Sequence, residues 1–111
     1  MDNVKNDSYY LNNIITDLSF VLAHTKGMSS EDFESNELLL DSVMFRLIQI
    51  SENSDRLTPE FKEVHSDIPW HAMRGLRNRI VHDYGKVDMS IIYDTVINDL
   101  PELLRDIENI M

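Results

Sequence analysis

A chain of 111 residues with no cysteine fits one small domain with one core. It excludes disulfides, thiolate metal sites and a cysteine nucleophile. Its net charge of −10, taken as a whole, argues against binding a polyanion such as RNA, which needs cationic contacts.

The stretch before the first apolar residues, Met1 to Asp7, is polar rather than signal-like. No segment approaches the roughly 18 unbroken apolar residues of a membrane span, so a soluble cytoplasmic protein is expected. Leu11, Ile14, Ile15, Leu18, Val21 and Leu22 then follow the spacing of an amphipathic helix. Lys26-Gly27 should stop it. Ser29 or Ser30 can cap the next segment, and Glu31 and Asp32 suit a helix N-terminus. A long helix is predicted from about Asn36 to Arg56, with Leu39, Leu40, Val43, Met44, Leu47, Ile48 and Ile50 apolar. Thr58-Pro59 interrupts it, and Pro59 opens a short helical turn through Phe61 and Val64. Ser66-Asp67-Ile68-Pro69-Trp70 reads as a cap followed by a proline near a first turn.

The helix that follows should turn Trp70, Met73, Leu76, Ile80 and Val81 inward and end near Tyr84-Gly85. Asp88 can cap the last long helix, whose stripe is Ile92, Val96, Leu100, Leu103, Ile107 and Ile110. Pro101 should kink or divide it after Asp99-Leu100, because proline lacks an N–H and clashes with the preceding turn. No alternating strand pattern or hairpin turn is present. The expected fold is all-α, an antiparallel bundle of four to five helices in a single domain over 1–111. The surplus of large apolar residues also suits a dimer interface.

Charge is unevenly placed. From His71 to Lys86 there are four cations, Arg74, Arg77, Arg79 and Lys86, against the single acid Asp83, a local +3. The remaining residues carry −13. A solvated helix face accounts for this, as does a local anion site on a body that repels nonspecific nucleic acid. Within it, Arg77-Asn78-Arg79-Ile80-Val81-His82-Asp83-Tyr84 holds two groups needed to cleave RNA. An imidazole, with an ordinary pKa of ~6.5, can move protons at neutral pH. A guanidinium can stabilise the extra charge on the reacting phosphate. Asn78 could orient the imidazole or donate to phosphate.

Residues five apart on a regular helix are about 140° apart around the axis, so Arg77 and His82 do not point the same way unless the helix ends or distorts near His82. Arg74 and Arg77 share a face, and Arg79 and His82 form another pair. A two-fold dimer would bring two copies of these groups to one cleft. The chemistry requires no metal and no cofactor, and His65, His71 and His82 lack zinc-site spacing. Structural readings compete: His82 at a helix C-terminus, Tyr84 as a half-buried aromatic, and Trp70 as a core anchor rather than a base platform.

The longer string adds a resemblance that favours the functional reading. Ile68-Pro69-Trp70, Arg74-Gly75-Leu76-Arg77-Asn78, Ile80-Val81-His82-Asp83-Tyr84 and Val87-Asp88 resemble the HepT-like toxin family of HEPN ribonucleases. So do Asp41-Ser42-Val43, Ile48-Gln49-Ile50-Ser51-Glu52 and Leu100-Pro101-Glu102-Leu103. The resemblance implies an all-α HEPN bundle and homodimer, and a metal-independent endoribonuclease toxin whose site is built by both protomers. The expected products carry 2′,3′-cyclic phosphates, and the substrate is RNA, with tRNA one candidate. Arg77 and His82 match the family's catalytic pair, and Asn78 its adjoining polar residue. Arg74, Arg79 and Lys86 are candidate phosphate contacts.

The resemblance also implies an MNT-type nucleotidyltransferase antitoxin that transfers AMP onto Tyr84. Such a group would add bulk and negative charge beside His82. One departure stands out: Ser51-Glu52-Asn53 replaces the family's frequent Gly-Glu-Ala. Glu52 is expected to play a structural part, either orienting a motif residue across the core or pairing with Arg46 or Arg56. A catalytically silent helical module that only binds a nucleotidyltransferase is the alternative reading. A plain oligomerising bundle is a third.

Overall fold

The computed structural model describes residues 6–111, so the polar residues 1–5 lie outside the described residues. Every regular element among the described residues is helical. Helix α1 spans Asp7–Thr25 and is capped by Asn6, whose side chain accepts from the Tyr9 N–H at 3.1 Å. It stops where Gly27 takes φ +74°, a left-handed conformation open to glycine at little cost. Ser29 then caps α2, Ser30–Ser35. This short helix docks through the fully buried Phe33, whose ring lies 5.5 Å from that of Tyr93.

Asn36 caps α3, Glu37–Asp55, the predicted long helix. Pro59 starts α4, Pro59–Val64, as expected, although Val64 faces solvent. Thr58 ties this corner to the start of α1. Its N–H and its hydroxyl both donate to the Asp7 carboxylate, each at 2.8 Å.

Neither Ser66 nor Asp67 caps α5, Trp70–Asp83; Pro69 precedes its first residue without a side-chain cap. The approach is held by backbone turns, Ile68 N–H to the His65 carbonyl at 3.1 Å and Trp70 N–H to the Ile68 carbonyl at 2.8 Å. The Trp70 indole donates to the same His65 carbonyl at 3.1 Å, which satisfies its polar end against the core. Asp88 caps α6, Met89–Asp94, accepting from the Ser90 N–H at 2.9 Å. A π-helical turn over Thr95–Asp99 leads into α7, Leu100–Asn109. Here Pro101 acts as expected: without an N–H it cannot continue the regular ladder, and the Leu100 N–H reaches back five residues to the Thr95 carbonyl. The stripe Ile92, Val96, Leu100, Leu103 and Ile107 stays buried across this junction.

The core sits between α1, α3 and the α6–α7 rod. An ion pair crosses it, Arg46 Nη1 to Asp17 Oδ1 at 2.7 Å, with the guanidinium stacked 3.9 Å over the Phe20 ring. Asn13 and Asn53 add a side-chain hydrogen bond of 3.1 Å between α1 and α3. Ser51 is buried with its hydroxyl unpartnered. A buried hydroxyl left so costs about 1–3 kcal/mol.

Helix α5 departs from expectation. Of its predicted inward residues only Met73 and Ile80 are buried; Trp70 and Leu76 are half-buried, and Val81 is 42% exposed. It packs against α3 along one side. No helix among the described residues is long and apolar enough to cross a membrane.

Candidate active site

The α3–α5 contact runs antiparallel, and side-chain bonds fix its register. Near the C-terminus of α3, Asp55 accepts from Arg74 through Nε at 3.2 Å and Nη2 at 2.8 Å. One turn earlier on α3, Glu52 Oε1 accepts from Arg77 Nε at 3.0 Å. Near the start of α3, Asp41 accepts from the Tyr84 hydroxyl. These positions follow from helical spacing: 41, 52 and 55 lie along one stripe of α3, and 74 and 77 along one stripe of α5, with Tyr84 just past its end.

This register corrects part of the charge reading. Two of the arginines in the basic segment are already opposed by α3 carboxylates. The Arg74–Asp55 pair is largely exposed and worth at most about 1 kcal/mol, which is weak enough for another anion to compete with it. Glu52 pairs with neither Arg46 nor Arg56; Arg46 is engaged by Asp17. Arg79 lies on a different face, lining a groove of about 710 Å³ with Ala72, Leu76, Leu100 and Leu103. It is not gathered with Arg77. Lys86 lies beyond the helix end and is exposed.

The angle between Arg77 and His82 is bridged by Asn78. Arg77 Nη1 donates to Asn78 Oδ1 at 3.1 Å, which draws the guanidinium around the helix. Asn78 is one helical turn before His82 and shares its face. No distortion at His82 is needed: the helix runs on through Asp83, Tyr84 follows as its C-cap, and Gly85 takes φ +91°. The exposed His82 imidazole therefore sits in the last turn of α5, one turn after Asn78. Asn78 Oδ1 serves the arginine, leaving its amide N–H groups for an incoming phosphate or the imidazole. Among the described residues, no three metal-ligating side chains converge.

Tyr84 is half exposed, yet its hydroxyl is committed to Asp41. That hydrogen bond, with partial burial and the carboxylate's charge adding to it, holds the phenol above its ordinary value of 10.0. A raised value means the bond contributes fully below the unfolded phenol's value and is lost as pH rises through the folded one. In an ultraviolet titration, Tyr84 is expected to ionise later in the wild type than in Asp41→Asn. An unchanged titration in the variant would show that the carboxylate does not govern the phenol.

Two partners on α3 escaped the sequence reading, Asp41 for Tyr84 and Asp55 for Arg74. Their signal was the matching stripe of acids at helical spacing, legible only once α3 and α5 are set antiparallel.

Comparison with known proteins identifies the family. The family model described as Ribonuclease HepT-like matches residues 14–110. A protein named as an RNase in Caldanaerobacter subterraneus subsp. tengcongensis is 33% identical over 102 residues, covering 92% of this chain and 91% of the relative. One named as a ribonuclease HepT in Thermococcus cleftensis is 30% identical over 101 residues, covering 91% and 92%. No solved structure matches this chain. On this match across nearly its whole length, the chain belongs to the HepT-like ribonuclease family.

Proposed function

We propose that the chain is one HEPN-type domain over 1–111 acting as the endoribonuclease toxin of a toxin–antitoxin pair. The observation that carries this reading is the Arg77–Asn78 bond of 3.1 Å one turn before an exposed His82. The ribose 2′-hydroxyl attacks the adjoining phosphate. His82 takes that proton or protonates the leaving 5′-oxygen, and Arg77 stabilises the charge that builds on the phosphate between. The products are a 2′,3′-cyclic phosphate and a free 5′-hydroxyl, and no metal enters the reaction. Each chain supplies one such imidazole, so the second proton transfer falls to the histidine of a second copy.

The exposed face of α3 and α5 supports a homodimer. Leu38, Phe45, Val81 and Tyr84 are 83%, 57%, 42% and 52% exposed. Phe45 sits on the α3 stripe between Asp41 and Glu52, so burying this patch brings two sites together. Phe45→Asp is expected to turn a dimer into a monomer and to lower cleavage more than tenfold with Arg77 and His82 intact. Light scattering after gel filtration, beside a cleavage assay, checks both.

An MNT-type nucleotidyltransferase would silence the toxin by placing AMP on Tyr84. The phenol proton is lost in that reaction, so the bond to Asp41 goes with it. The added phosphate then stands two residues from His82, where it repels RNA. Purified protein free of AMP should cut RNA, tRNA included, in EDTA and leave cyclic ends. Protein co-expressed with the antitoxin should gain the mass of AMP on Tyr84. Absence of cleavage in every modification state would leave the silent binding module as the better reading.

A further inference from the structure

We infer that Glu52 is the positioning residue for Arg77 and that it stays bound to the guanidinium while RNA is cleaved. This rests on the proposed role of Arg77 in cleavage. Glu52 and Arg77 lie 25 residues apart in sequence and come from different helices, yet Oε1 and Nε meet at 3.0 Å. Both side chains are about one-third exposed, at 35% and 31%, so the pair is neither freely solvated nor sealed in the core.

The manner of holding decides what Arg77 can still do. An arginine has five N–H donors in a rigid planar fork. Asp55 takes Nε and Nη2 of Arg74 together, which commits one whole side of that fork. Glu52 takes only Nε of Arg77, and Asn78 takes one donor of Nη1. Three donors remain, one on Nη1 and two on Nη2; one Nη2 donor lies on the Nε side beside Glu52, and the other points outward at the tip of the fork.

Two restraints from two elements therefore fix the guanidinium plane and leave its outer edge free for two phosphate oxygens. A flexible arginine would lose rotamer freedom when it engaged the transition state. Here much of that ordering is already present before RNA arrives. Because the phosphate approaches an edge Glu52 does not occupy, the carboxylate need not be displaced.

The test is a double-substitution cycle on the purified, unmodified full chain. The probe is a fluorescently labelled single-stranded RNA oligonucleotide, in single- and multiple-turnover assays. Glu52→Ala is expected to lower kcat about 10- to 100-fold, the cost of a misplaced catalytic group, with KM changed less than threefold. Glu52→Gln keeps an oxygen acceptor for Nε and should recover part of that loss. In an Arg77→Ala background the same Glu52 substitutions should cost nothing further, because the residue acts through the arginine.

Equal losses in both backgrounds would assign Glu52 to the general stability of the bundle and overturn the inference. A rise in activity on Glu52→Gln would also overturn it, by making the carboxylate a competitor of RNA. Nitrogen-15 spectra of the arginine Nε–H groups give a readout independent of cleavage. The Arg77 signal should be protected from exchange in the wild type and in Glu52→Gln, and lose protection in Glu52→Ala. An Arg77 signal unprotected in the wild type would overturn the positioning itself. A protected signal in a protein that cuts no RNA would instead defeat the role given to Arg77 and leave the positioning standing.

Discussion

His82→Ala is expected to lower RNA cleavage by about 10²- to 10⁴-fold, the range over which a positioned general acid or base contributes. Arg77→Ala should cost about 10²- to 10³-fold, as loss of a donor aimed at developing charge does. Neither should unfold the protein. His82 is exposed in the last turn of α5, and surface substitutions of that kind shift stability by only about 0.5 kcal/mol. Arg77 is held at the α3–α5 seam by one carboxylate and by its own neighbour in sequence.

Arg77→Lys should rescue little, because an ammonium cannot keep Nε on Glu52 and present a two-pronged edge to phosphate. The double variant should be scarcely worse than the poorer single one, as expected of two groups proposed to serve one transition state. Single-turnover cleavage in EDTA, with thermal unfolding alongside, separates chemistry from folding. Activity that survives both single substitutions would remove this pair from the mechanism.

Ile80→Ala tests how the site is mounted. Ile80 is fully buried, and Met73 is the only other buried residue of α5. Truncating such a side chain costs about 2–5 kcal/mol, depending on how far the surroundings collapse into the space. A helix with two buried anchors loses half of them, so α5 should loosen before the rest of the bundle. Hydrogen exchange should rise first in α5 and least in α1, whose Ile14, Leu18 and Val21 are all fully buried. Cleavage should fall at temperatures where the far-ultraviolet signal is still helical. A change below about 1 kcal/mol would mean that α5 is fixed mainly from outside, as a second protomer packed on its exposed face would fix it.

Most of the fold was legible along the chain because helices announce themselves locally. Gly27, Ser29, Asn36, Thr58-Pro59, Gly85 and Asp88 start or stop elements through their own backbone preferences or caps. Pro101 forced a defect in the last helix for the same local reason. The start of α5 was misread because a serine and an aspartate at cap-like positions say nothing of the backbone turns that hold Ile68 and Trp70. Val81 was misread because apolar spacing cannot tell a core position from an exposed one.

The sequence by itself determined the helices, the chemical groups of the motif and the family, since each depends on residue identity and near neighbours. Only the tertiary structure decided what those groups do to one another. It set α3 antiparallel to α5, gave Arg74 to Asp55, Arg77 to Glu52 and Tyr84 to Asp41, and sent Arg79 to another face. The reason is geometric. Periodicity places a side chain around its own helix, but the partner it meets depends on the register between two helices. That register is set by the packing of all the side chains along the contact at once.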